Sequence, residues 1–215
     1  MRTVRRAFLL AATTLATACT VQNPPPTVTS QPPAEATAAP ARLAPQPFTP
    51  PRWAVGDSWQ YSDGYGMRVV EVTGDAAKFQ RLDDPGQWFV MRGLFREQTK
   101  SRAALRNVVF RSEDPMALFS APAGQPIVYM REYTRNGVTV RHRTSWAVEG
   151  RESITVPAGT FDTIVLTMRT RSVTGNWLGY ERWWYSPAIR NYVRLEFKYG
   201  EAPQSSRVLV SHTVK

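Results

Sequence analysis

From Ser58 to Val214 the sequence falls into short runs rich in β-branched and aromatic residues: SWQYS, MRVVEV, AKFQRL, QWFVMR, LRNVVF, IVYMREYTR, VTVRHRTSWAV, ESITV, TIVLTMRTRSV, WLGYERWWY, YVRLEF and RVLVSHTV. Asp63-Gly64, Gly74-Asp75, Asp83-Asp84-Pro85-Gly86, Asn136-Gly137, Gly150 and Ser186-Pro187 punctuate them. Short strands joined by tight turns must pair antiparallel, because a parallel return needs a long crossover. Only Thr99 to Arg106, TKSRAALR, has a helix-compatible composition. The chain therefore reads as mainly β, an antiparallel sheet with little helix.

One hairpin is predicted residue by residue. Asn136-Gly137 is the preferred pair for a two-residue type I′ turn, whose central positions both need positive φ. Such a turn sets Arg135 opposite Val138 and fixes every pair behind it. Tyr133 then faces Val140, Tyr129 faces Thr144, Ile127 faces Trp146, and Glu132 meets Arg141 as a cross-strand ion pair. The same register puts Arg131 opposite His142 on the aromatic face. Either that face is wet, or two polar side chains point into a cavity.

Two later motifs shape the second half. In VPAGTFDT, residues 156–163, Pro157 presets φ for a turn and Phe161 is placed to plug the end of the sheet. Ile164, Leu166 and Met168 then alternate with Val165, Thr167 and Arg169, as in a strand with one drier face. In ERWWYSPAIRNYVRLEF, residues 181–197, Trp183 shares a face with Trp177, Glu181 and Tyr185. Trp184 shares the other with Leu178, Tyr180 and Arg182. Consecutive tryptophans require both faces to be covered, or one ring to be exposed for use. Asn191 suits a left-handed turn position before the next strand.

The N-terminus has a different character. Arg2, Arg5 and Arg6 precede the apolar run from Ala7 to Ala18, which is too short to span a bilayer and has the layout of a secretory signal. Cys19 is the chain's one cysteine and has no disulfide partner within it. Leu15-Ala16-Thr17-Ala18-Cys19 is similar to a bacterial lipobox, while Ala16-Thr17-Ala18 also suits ordinary signal peptidase. The lipobox reading makes Cys19 the lipidated residue and a membrane the partner; Thr20, rather than Asp, after it then implies the outer membrane. Ten of the 17 prolines, and no glycine, lie between Thr20 and Arg52. That composition cannot bury a core. At about 3.1 Å per residue an extended tether of this length reaches roughly 100 Å. The expected organisation is a signal at 1–18, lipidated Cys19 with its tether at 19–52, and one β domain at 53–215.

Charge and missing motifs narrow the function. Without Arg2, Arg5 and Arg6 the formal charge falls from +10 to +7. In an exported protein this points away from nucleic acid, and leaves two readings: lipid or another anionic envelope component as partner, or arginines that simply solvate outward strand faces. His142 and His212 stand on different strands with no metal-ligand spacing, and neither a G-x-S-x-G elbow, nor a P-loop, nor H-E-x-x-H occurs. No metal, cofactor or catalytic set is expected. Asp83-Asp84 and Glu113-Asp114 precede prolines, as ordinary turn residues do.

GDSWQYS, VPAGTFDT and WWYSPAIRNYVRLEF, in this order, resemble a family of bacterial envelope proteins that pair a Val-Pro-Ala-Gly-Thr-Phe corner with a later Trp-Tyr-Ser-Pro segment. The resemblance covers roughly residues 56–197. That family is similar to the half-barrels of lipoprotein carriers, which implies a curved sheet forming an incomplete β-barrel around an apolar cavity. It carries no catalytic residues over. The residues expected at such a cavity are Trp177, Trp183, Trp184 and Tyr185 as walls, with Arg131 and His142 as a polar mouth. Three readings stay open: a binding module for an apolar or lipid-like molecule, which is favoured; an interaction protein with a filled core; and a hydrolase built on Glu181, which lacks a second positioned carboxylate.

Overall fold

The computed structural model describes residues 47–122, 124–135 and 137–215; Cys19, the signal and most of the tether lie outside the described residues. The described chain forms twelve strands: β1 Ser58–Tyr61, β2 Gly66–Thr73, β3 Ala76–Arg81, β4 Trp88–Arg92, β5 Phe95–Lys100, β6 Leu105–Arg111, β7 Ile127–Arg135, β8 Val138–Val156, β9 Gly159–Ser172, β10 Leu178–Ser186, β11 Asn191–Tyr199 and β12 Ser205–Thr213. All neighbours pair antiparallel, as the turns required. The sheet curves into a ring that closes, because β1 pairs with both β2 and β12. The expected mainly β, barrel-like sheet with little helix is present, and its edges meet where a half-barrel would stay open. Closure removes the exposed strand edges that would otherwise invite aggregation.

The Arg135 to Val138 hairpin holds the predicted register at every pair, from Arg135 opposite Val138 back to Ile127 opposite Trp146. Gly137 takes φ +76, and Arg141 Nε donates to Glu132 across the strands at 2.9 Å. Elsewhere local signals lost to pairing. Thr99 to Arg106 is not helical: it supplies the end of β5, a turn closed by Ser101 and Ala104, and the start of β6. The one helical turn among the described residues is Pro115–Phe119, capped by Asp114. Gly150 is not a turn either. The runs on each side of it form one 19-residue strand with a register shift between Val148 and Gly150, a bulge that bends β8 around the ring.

The positive-φ residue before β11 is Arg190, at φ +59, rather than Asn191. Asn191 begins the strand instead, its side chain accepting from the Tyr192 N–H. Arg190 is held in the left-handed region by its own guanidinium, which donates to Arg52 O at 2.7 Å, Lys215 O at 2.6 Å and buried Asp57 at 3.2 Å. Asp57 also accepts from the Ala54 and Lys215 amides. This knot lies at one end of the barrel, together with the turns at 74–75, 93–94 and 157–158.

That end is plugged. Leu118 and Phe119 from the helical turn pack inside it with Leu94, Trp53 and Phe48. Phe48 meets Phe119 at 4.9 Å and Tyr185 at 5.8 Å, five residues before the expected domain start at Trp53. Gly93, at φ +56, lets the plug close: a Cβ there would stand 2.7 Å from Met116 Sδ and 2.8 Å from the Phe119 ring. Trp53 and Trp59 tie to the β10–β11 turn through indole bonds to Arg190 O and Ile189 O. The opposite end carries the turns at 62–65, 82–87, 101–104, 173–177 and 200–204.

Candidate functional site

Toward this second end the interior is not filled. A cavity of about 450 Å³ opens there, within the roughly 300–1,000 Å³ span of small-molecule sites. Strand alternation builds its wall. Tyr129 of β7, Thr144 and Trp146 of β8, Met168 of β9, Trp183 of β10 and Leu195 of β11 all point inward. Trp146 meets Trp183 edge-on at 5.4 Å and donates its indole N–H to Tyr129 Oη at 3.1 Å. Phe95 and Phe110 cover the other side, edge-on to Tyr129.

The rim is basic. Arg81, Lys100, Arg106 and Arg207 line the cavity near the ends of their strands, Arg131 lines it from the middle of β7 on the mouth side of Tyr129, and Arg96 reaches along the Phe89 ring at 4.0 Å. Arg81 is paired with Asp83 and Arg207 with Asp63. Among the described residues no ion pair involves Arg96, Lys100, Arg106 or Arg131. Glu181 is the one carboxylate among the described lining residues. Trp183 Nε1 donates to it at 2.6 Å and Tyr199 Oη donates to its other oxygen.

Of the six residues expected at a cavity, four meet there: Arg131, His142, Trp177 and Trp183. Arg131 and His142 point into a cavity, which resolves the oddity of their pairing. Arg131 Nη2 donates to His142 Nδ1 at 3.2 Å; since arginine cannot accept, Nε2 carries the imidazole proton. Burial first, then the charges of Arg131 and Arg106, pushes the His142 pKa down to about 4, so it is neutral at pH 7. Trp177 stacks on the imidazole at 4.6 Å and 14°.

Trp184 and Tyr185 do not line the cavity. Trp184 follows Trp183 in an extended strand and so lies on the outer face, between the guanidiniums of Arg182 at 4.8 Å and Arg194 at 4.7 Å. Its indole donates to Glu152 at 3.1 Å. This outer layer, completed by Thr167 and Arg182 on Glu149, also explains why Val165 and Thr167 are buried rather than facing water. Tyr185 points inward but packs on Phe48 in the plug, below the cavity.

Arg106 and Arg96 were missed. Arg106 had a readable signal: it shares a strand face with Val108 and Phe110, just as Arg131 shares one with Tyr129 and Tyr133. Arg96 had none, because β5 carries no apolar alternation. Among the described residues no group of three or more His, Cys, Asp or Glu is placed to hold a metal ion. The acidic turns are used internally: Asp84 accepts from Gln87 and Arg102, and Glu113 accepts from the Val128 N–H.

No protein-family model and no curated protein matches the chain. Solved structures do. The hypothetical lipoprotein YmcC from Escherichia coli K12 matches with a TM-score of 0.50 and 10% identity, over 73% of this chain and 84% of that one. A candidate lipoprotein from Parabacteroides distasonis matches at 0.41 and 18% identity, over 78% of this chain and 100% of its own. A candidate exported protein with a YmcC-like fold from Bacteroides fragilis matches at 0.42 and 14%, over 77% and 98%. At such identities the likeness to the Escherichia coli protein is one of fold.

Proposed function

We propose that this chain is an envelope lipoprotein, anchored through Cys19 on the periplasmic face of the outer membrane, whose barrel binds an apolar or lipid-like molecule without transforming it. The observation that carries this reading is the aromatic cavity, closed by the plug at one end and open at the other. Small barrels fill their interior with side chains, whereas larger ones can enclose a ligand. Here the twelve-stranded ring keeps Trp146, Met168 and Trp183 around open space. The lipobox-like Cys19 and the lipoprotein description of the Escherichia coli protein that shares the fold support the anchor.

Native mass spectrometry of the full chain, with titration of the fluorescent apolar probe N-phenyl-1-naphthylamine, tests it. A co-purified amphiphile, or probe fluorescence that dodecanol displaces, is expected. A full chain that carries nothing and leaves the probe dark removes the binding reading.

A second reading has its own observation. The outer face of β8 to β11 bears a groove of about 460 Å³ lined by Arg143, Arg169, Arg171 and Lys198 around Leu178 and Tyr180. Arg143 and Arg171 sit directly opposite each other, a like-charge pairing that costs stability unless an anion screens it. This favours an interaction protein docking on an anionic envelope surface. Salt-sensitive sedimentation with anionic vesicles, lost in Arg143→Glu/Arg171→Glu, is its test.

A further inference from the structure

The rim of the cavity has more positive charge than the protein itself neutralises. Arg106 and Arg131 approach the same ring, Tyr133, at 4.5 and 6.0 Å, and the charges of both reach His142, with no carboxylate paired to either among the described residues. Arg131 Nε is buried with no hydrogen-bond partner. An unsatisfied donor on a charged group is costly, and two adjacent cations add repulsion. His142 takes one Arg131 donor as a neutral acceptor, which orients the guanidinium without neutralising it. Glu181, the nearest candidate counter-charge in the lining, is engaged by Trp183 and Tyr199 instead. Arg96 and Lys100 add two more unpaired cations to the same lining.

We infer that Arg106 and Arg131 form the head-group subsite of the cavity, receiving the carboxylate, sulfate or phosphate of an anionic amphiphile whose apolar part lies against Trp146, Met168 and Trp183. This rests on the cavity-binding reading above and adds the charge of the ligand to it. A planar guanidinium grips such an oxyanion with two parallel N–H donors, and low dielectric strengthens the contact. The order of the two zones fits the shape of the molecule. The cations stand at the mouth, where a head group keeps part of its hydration, and the apolar wall lies deeper.

The experiment compares dodecyl phosphate, dodecanol and inorganic phosphate by intrinsic tryptophan fluorescence and calorimetry. It uses the full chain carrying Cys19→Ser, which needs no detergent. Dodecyl phosphate is expected to bind at least about tenfold more tightly than dodecanol, the effect of one charge-assisted bond. Inorganic phosphate alone should bind far more weakly than either. Arg106→Gln/Arg131→Gln should bring the two dodecyl compounds to similar affinity, while Arg106→Lys keeps much of the preference; thermal melts establish that each variant is folded. Equal affinity of the wild type for dodecanol and dodecyl phosphate overturns the head-group assignment and leaves the cavity reading standing. Binding of neither dodecyl compound overturns both. Inorganic phosphate binding as tightly as dodecyl phosphate replaces the amphiphile with a small anion.

Discussion

Trp183 and Trp184 are neighbours in the chain and stand on opposite sides of the barrel wall, one facing the cavity and the other clamped between Arg182 and Arg194. The two rings are buried to similar extents, yet they answer to different surroundings. Trp184→Ala strips two guanidiniums of their stacking partner and leaves Glu152 without its indole donor. A cost of about 3–5 kcal/mol is expected, as for other buried large-to-small changes. Trp183→Ala enlarges a space that is already open to solvent at the mouth. It should cost less and abolish amphiphile uptake. Urea melts beside ligand titrations of both variants decide the matter, and equal losses of stability with uptake retained in Trp183→Ala would refute the asymmetry.

The β7–β8 hairpin depends on Gly137, whose φ of +76 a β-branched residue resists. Gly137→Val is expected to lower stability by about 1–3 kcal/mol. Reversing the Glu132–Arg141 pair should not be neutral, because Arg111 also reaches Glu132, at 3.5 Å. The double reversal Glu132→Arg/Arg141→Glu sets a new cation against Arg111. Chemical denaturation should show a small net loss, within about 1 kcal/mol.

His142 makes stability pH-dependent with a definite sign. Its folded pKa of about 4 lies below the 6.5 of an unperturbed histidine, so between these values the unfolded chain binds the extra proton. Stability from this residue is therefore present above about pH 6.5 and is lost as the pH falls toward 4. His142→Gln should flatten the decline of the melting temperature across that window. An unchanged slope would assign the decline to other groups.

Asp57 is fully buried and collects Arg190, the Ala54 amide and the Lys215 amide. Asp57→Ala leaves the guanidinium without its counter-charge and two amides without their acceptor. A loss of about 3–5 kcal/mol is expected, as when one partner of a buried ion pair is removed. Arg190→Gly relieves the positive φ but forfeits the contacts to Arg52 and Lys215, so it should also destabilise. A melt of Arg190→Gly at or above wild type would show that the backbone strain outweighs the knot.

Cys19→Ser tests the anchor. The protein is expected to move from the membrane pellet to the soluble fraction after fractionation. A variant that stays in the pellet and resists salt extraction would mean that another segment holds it.

Legibility followed locality. Asn-Gly dictates its own turn, so the whole β7–β8 ladder was readable, including the pairing of Arg131 with His142 that located the cavity's rim. Strand β5, Phe-Arg-Glu-Gln-Thr-Lys, was invisible because its neighbours in the ring, not its own pattern, make it a strand. Gly150 looked like a turn since glycine serves turns and bulges alike, and only the length of β9 opposite it decides between them. Closure through β1 joins residues more than 140 apart, such as Trp59 and His212, and no local pattern announces such a pair. Trp183 and Trp184 were legible as a pair on opposite faces. Which face was inner waited on the direction in which the sheet curls.

The Arg190 knot has a consequence for how this barrel can be re-engineered. One guanidinium spans the carbonyls of residues 52 and 215, so the two ends of the described barrel nearly touch, on the side away from the cavity's mouth. The strand order is thus a cycle along the chain as well as in space. A linker from 215 back to the chain ahead of Phe48, whose ring the plug needs, should permit new termini to be cut between β7 and β8, with every strand pairing conserved. Such a circular permutant would carry its free ends beside the mouth, where a reporter dye could watch a guest arrive.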